Sequence, residues 1–171
     1  MALKKVENRA RSSLPQLGGD ELPSLAGEAA LVRDGALAAA AQGEAPNALG
    51  NWPVQLKLVS AASPVFHDRD LLVAADCTAY AYGNFHRDFI RGRVTVIGCP
   101  KLDATEYAEK LTQILEQNSV KSVTLTRMFV PCCGGMEYAV YQAIAACGRD
   151  LPLRVVTIGA DGAILSDEKK A

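Results

Sequence analysis

Little in this 171-residue chain points to a charged or an apolar medium. Its 18 basic and 19 acidic residues leave a formal charge of −1, so no strong field selects a nucleic acid or an anionic membrane as partner. No apolar run approaches the roughly 20 residues of a spanning helix, and no membrane insertion is expected. The first residues lack the apolar core of a signal peptide, and the expected location is cytoplasmic. There are two histidines but no paired-histidine zinc motif, no nucleophile elbow and no Gly-rich phosphate loop. "IGADG" at 158–162 reads as a terminal turn rather than a dinucleotide fingerprint. Whether the protein is an enzyme is left open, because no acid–base pair or substrate pocket follows from these residues.

Cysteine is also scarce, and its distribution carries the most information. The five cysteines are an odd number and fall only within residues 77–147. A framework of bridges would use an even set spread along the chain. Clustered thiols in a reducing compartment point instead to metal binding or redox chemistry.

Residues 1–50 hold neither a cysteine nor an aromatic residue and are rich in Ala, Gly and charge. Glu28 to Gln42 could form a short Ala-rich helix with too little apolar surface to dock firmly. The segment reads as a partly flexible arm, and residues 51–171 as an α/β domain. "VQLKLV" (54–59) alternates apolar and polar residues, as a strand with one wet face does. "LLVAA" (71–75) and "VTVIG" (94–98) are continuous apolar runs suited to covered central strands. "SVTLTRMFV" (122–130) and "LRVVTIG" (153–159) add two more. Helical spacing marks 105–117 through Tyr107, Ala108, Leu111, Ile114 and Leu115. It marks 136–147 through Met136, Ala139, Val140, Ala143, Ile144 and Cys147. A third helix is expected from Thr78 towards Ile90, with Gly83 a weak point. The pattern predicts a mostly parallel sheet of about five strands flanked by helices, best arranged as a doubly wound fold. An exposed edge strand near Val54 could support a homodimer.

Placed on these elements, Cys77, Cys99 and the pair Cys132 and Cys133 each follow a strand. Ligand sites in open α/β sheets collect at that carboxyl edge. Neighbouring strands lie about 5 Å apart, so thiols on several strand ends can converge. The pair in "VPCCGG" is the hardest to assign to packing, since successive strand side chains face opposite ways. A following helix N-terminus favours thiolate over thiol. Gly134 and Gly135 permit close backbone approach and leave N–H groups for cluster sulfurs or an anion. Pro100 and Pro131 stiffen their loops by fixing φ. Four thiolates could hold a cubane iron–sulfur cluster or a tetrahedral zinc. A metal-free alternative is a vicinal disulfide or a low-pKa nucleophile. The spacing matches neither a C-x2-C ferredoxin run nor a zinc knuckle. Cys147, on an apolar helix face, reads as a core residue.

Neighbouring residues admit two readings each. Asp76 precedes Cys77. His86 could be a ligand or proton donor, or simply solvated, and His67 sits in a polar surface turn. Tyr80 and Tyr82 are expected to pack. Lys101 and Asp103 follow Cys99 closely; Lys101 could lower thiol pKa values by its charge, or both are ordinary loop charges.

"ADCTAYAYGNFH", "GCPKLD" and "VPCCGG", in this order, resemble the C-terminal half of the ferredoxin-type 4Fe–4S iron–sulfur proteins of anaerobes. The similarity runs from about Trp52 to Leu165. It implies a 4Fe–4S cluster and electron transfer with a redox partner protein in anaerobic metabolism. Members of that family carry two ferredoxin cluster motifs in an N-terminal half, and residues 1–50 hold none. "CCGG" is also similar, over a short stretch, to the cysteine pairs of heterodisulfide-reductase-type subunits. The expected function is an iron–sulfur redox protein with its cluster on Cys77, Cys99, Cys132 and Cys133. A zinc-binding structural or regulatory module is the other metal-bound possibility.

Overall fold

The computed structural model describes residues 46–103 and 106–170. Strand β1 (Asp70–Ala75) is followed by a four-residue helix, α1 (Thr78–Ala81), and a π-helical turn at His86–Ile90. Next come β2 (Arg93–Gly98), α2 (Tyr107–Gln117), β3 (Ser122–Met128), a 3-10 turn at Pro131–Cys133 and α3 (Gly134–Ala146). Strands β4 (Leu153–Ile158) and β5 (Ile164–Lys170) close the chain. All five form one sheet in the order β2-β1-β3-β4-β5. The first four are parallel, and β5 runs antiparallel to β4. The expected α/β class and mostly parallel sheet are therefore what the chain forms.

Sequence dictates the layering. In β1, Leu71 and Val73 face one side of the sheet and Leu72 and Ala74 the other, and all four are buried. The first side joins Val94, Val96, Val123 and Leu125 to the apolar faces of α2 and α3. The second joins Val156 and Ile158 to Phe85, Phe89 and Ile90 from the segment between β1 and β2. Right-handed crossovers explain the division. The step from β1 to β2 moves one way across the sheet, and the steps onward to β3 and β4 move the other way. Their helical connections consequently land on opposite faces. On α2, the predicted stripe of Tyr107, Leu111, Ile114 and Leu115 is buried. Its C-terminus is secured by Asn118 Nδ2, which donates to Ile114 O (2.8 Å) and Ala61 O (2.7 Å). Arg149 adds donors to the carbonyls of Leu115, Asn118 and Val120, a cation where the helix dipole favours one.

Three expectations need correction. "VQLKLV" is not a strand. Gln55 makes a single bridge to Ile97, and the chain then turns, with Leu58 N donating to Gln55 O. Leu56 and Val59 are buried while Leu58 is 71% exposed, a spacing of three that suits a turn and defeats period-two alternation. The edge-strand argument for a homodimer therefore has no strand to rest on. The fifth strand is instead "ILSDEKK", whose exposure on both faces erases any apolar pattern. It is held by its ladder to β4 and by Arg154, which donates to both Asp167 oxygens at 2.8 and 2.7 Å. The "IGADG" turn exists, with Gly162 at φ +83°, and leads into that strand. Finally, the helix expected from Thr78 to Ile90 breaks after Ala81, at Gly83.

The Glu28–Gln42 helix lies outside the described residues. Ala48 and Leu49 pack against the second core face. Leu125 is fully buried at the centre of the sheet. Leu125→Ala should lower unfolding free energy by about 2–5 kcal/mol, measured by urea denaturation.

Candidate functional site

The strand order fixes where the cysteines stand. Cys99 directly follows β2, Cys77 lies two residues past β1, and Cys132 and Cys133 lie in the turn after β3. These are three consecutive strands of the sheet, with Cys77 on the middle one. The β1/β3 junction is where the winding direction reverses, and ligands of open α/β sheets bind at such a crevice.

Several contacts tie the three loops together. The β1–β2 ladder extends one step beyond β1 through Asp76 N to Gly98 O at 3.1 Å. Thr78 Oγ1 donates to Ala75 O at 2.7 Å and lies 3.2 Å from Thr126 Oγ1, joining α1 to β3 in a fully buried pair. A Cβ on Gly135 would lie 3.2 Å from Pro100 Cβ, so the first turn of α3 rests on the loop of Cys99. That approach gives Gly135 a steric reason to be glycine. Gly134 has open space around its Cα and carries no such requirement. Both glycines are inside α3, and Gly134 N–H already donates to Pro131 O of the preceding turn.

The thiols differ in setting. Cys77 and Cys132 are exposed, Cys99 is half-buried, and Cys133 is 5% exposed. Burial pushes the Cys133 thiol up, opposed by a backbone hydrogen bond at Met128 and reinforced by Cys132 and Cys77. Cys133 therefore lies within the field of cysteines on both β1 and β3. At Cys133 burial works against the thiolate that the following helix N-terminus favours. Cys132 and Cys133 occupy helical backbone, with Cys133 at φ −79°, ψ −11°. Adjacent Cα atoms across a trans peptide are about 3.8 Å apart, short of the roughly 4.4–6.8 Å that disulfides span. Any bridge between these neighbours would close that short span with strain. All five cysteines are free. Cys147 belongs elsewhere: its Sγ donates to Ile144 O and it packs on the larger core, as expected. Among the described residues, no three His, Cys, Asp or Glu side chains stand close enough to share a single metal ion.

The flanking residues sort differently from the sequence reading. Tyr82 packs, edge-on to Phe89 at 5.2 Å with its hydroxyl on Asp88. Tyr80 does not pack; it is 93% exposed. Leu102 (82%) and Phe129 (70%) are similarly exposed. Each lies three residues from a cysteine, giving the cysteine edge an apolar rim that periodicity cannot reveal. His86 Nδ1 accepts from Ala48 N at 3.1 Å, a tether for the N-terminal segment. His67 lies at the surface, its Nδ1 accepting from Ser119 N. Lys101 is exposed and forms no ion pair among the described residues.

Two carboxylates have more than a loop role. Asp76 is half-buried, with one oxygen lacking a hydrogen-bond partner. Burial first, and then the charge of Asp103, raises its pKa, while Gln55 partly offsets the rise. Asp103 accepts the hydroxyl proton of Tyr107. That bond chiefly holds its carboxyl below the usual range, against burial and with help from Cys99 N–H and Lys57. No sequence pattern marks this pair, because Asp103 precedes α2 and the i,i+4 spacing of a helix surface does not reach it.

The chain belongs to the Rossmann-like domain family, which it matches over residues 63–171. It is also 28% identical over 120 residues to an uncharacterized protein of Archaeoglobus fulgidus, covering 70% of this chain and 84% of that one. No solved structure matches it. The family match covers all five strands of the sheet.

Two measurements follow on the metal-free protein. Cys77 and Cys132 should react with a thiol reagent first, and Cys133 about tenfold or more slowly. Raising the pH should narrow the gap, because more of the elevated Cys133 thiol then ionises. Asp76, with a folded pKa above its ordinary 3.8, lowers stability above that folded value and has no such effect below 3.8. Asp76→Asn should therefore raise the melting temperature at pH 7, with the gain vanishing towards pH 3.

Proposed function

We propose that this protein is an iron–sulfur redox protein, holding one cluster on Cys77, Cys99, Cys132 and Cys133. The observation that carries this reading is the placement of these four cysteines on the ends of three consecutive parallel strands, centred on the β1/β3 switch point. The donor set suits the group. Thiolates are the ordinary ligands of a 4Fe–4S cluster, which distributes its ligands over several irons. Adjacent thiols that would crowd a single zinc can serve different irons. Bound there, the cluster would supply one-electron exchange.

The chain's own residues do the rest. Pro131 and the 3-10 turn fix the approach of the Cys132–Cys133 pair, and Gly135 lets α3 close on the Cys99 loop. Tyr80, Leu102 and Phe129 offer an apolar rim, and exposed aromatics and leucine beside a redox centre suit docking of a redox partner protein. Five unbridged thiols suit the reducing cytoplasm.

The test is anaerobic purification and reconstitution, with iron, sulfide and zinc assayed on the same sample. About four iron and four sulfide per chain are expected, unchanged in Cys147→Ser. A colourless chain carrying stoichiometric zinc, or no metal, would contradict the proposal.

A further inference from the structure

Both backbone groups of Cys99 are bound to one residue. Cys99 O accepts from Asp103 N at 2.9 Å and from Leu102 N at 3.0 Å. Cys99 N donates to Asp103 Oδ2 at 3.3 Å. The same carboxylate oxygen takes the hydroxyl of Tyr107, which is itself buried at the start of α2. Tyr107 in turn covers the residue before Cys99: a Cβ on Gly98 would sit 2.6 Å from its hydroxyl oxygen. Gly98, Cys99, Asp103 and Tyr107 thus close a small ring that locks the turn to the first residue of a helix.

We propose that Asp103, held by Tyr107, is a positioning residue that fixes the Cys99 turn at the cysteine edge and sets a negative charge beside it. Its consequence for a cluster rests on the iron–sulfur reading above; its effect on the turn does not. An amide oxygen could accept the same two hydrogen bonds, so holding the turn does not require a carboxylate. The charge is not neutralised by an ion pair among the described residues. A fixed negative charge next to a cluster disfavours the added electron and lowers the reduction potential. Asp103 therefore does two separable things, one through geometry and one through charge.

Separable roles call for two variants and two readouts. In the metal-free protein, Asp103→Ala should speed alkylation of Cys99 by about tenfold, the effect of losing a hydrogen bond to a charged group. With all rates taken at the high-pH limit, where the thiol is fully ionised in every variant and the lost charge no longer sets the thiolate fraction, Cys132 should react at its original rate, and Asp103→Asn should stay near the wild-type rate at both cysteines. In reconstituted protein, Asp103→Asn should keep its cluster content and show a raised midpoint potential. An unchanged Cys99 rate in Asp103→Ala would overturn the positioning role. An unchanged midpoint in Asp103→Asn would overturn the role of the charge. A clear alkylation contrast in a chain that binds no cluster would leave the positioning role standing and sink the iron–sulfur reading alone.

Discussion

Parallel register across β2, β1 and β3 is the constraint on which the site depends. Parallel strands end on the same side, so residues that follow them arrive at one edge without any further device. The pairings Ala75 with Gly98 and Ala74 with Thr126 bring three carboxyl ends level with one another. The sheet order then makes β1 the middle strand of the three, and Cys77 the middle cysteine. Reversal of winding at β1 sends the following helical segments to opposite faces, so no helix covers the edge between β1 and β3. Every other feature of the site refines this placement: the Thr78–Thr126 contact, the Pro100–Gly135 approach and the Asp103–Tyr107 bond.

The edge also departs from the rules that the rest of the domain obeys. Elsewhere the strands satisfy one another and the charges of β5 and Arg154 pair at the surface, although Trp52, Leu58 and Tyr138 are also exposed. At the edge, three large apolar side chains stand in solvent. A carboxylate is held in a setting that favours its neutral form, and a thiol is pressed the same way by burial. Local breaches of consistency in an otherwise consistent fold are expected to gather where function is. At this edge Tyr80, Leu102, Phe129, Asp76 and Cys133 lie close in sequence to the four cysteines or among them.

How much of this was legible in the sequence differs by element. Strands β1 to β4 were plain, because continuous apolar runs such as "LLVAA" belong to strands covered on both faces. The stripes of α2 and α3 were plain for the same reason, one face buried and one wet. What escaped was set by surroundings rather than by period. Strand β5 has no buried face, so its charges disguised it, whereas "VQLKLV" had the pattern of a strand but buried Leu56 and Val59 three apart. The cysteine edge was readable from strand ends alone. The Asp103–Tyr107 clamp, the half-buried Asp76 and the exposed Tyr80 were not, since each depends on how the chain folds past its strand end, which no periodicity records.

The central claim is that the four cysteines on these three strand ends serve one shared centre. Native mass spectrometry of the anaerobically reconstituted chain, with the Cys77→Ala variant measured beside it, tests that most directly. The account predicts the mass of a single iron–sulfur cluster on the native chain and its loss when the middle cysteine is removed. Equal cluster occupancy in both proteins, or no cluster mass on the native chain, would contradict it.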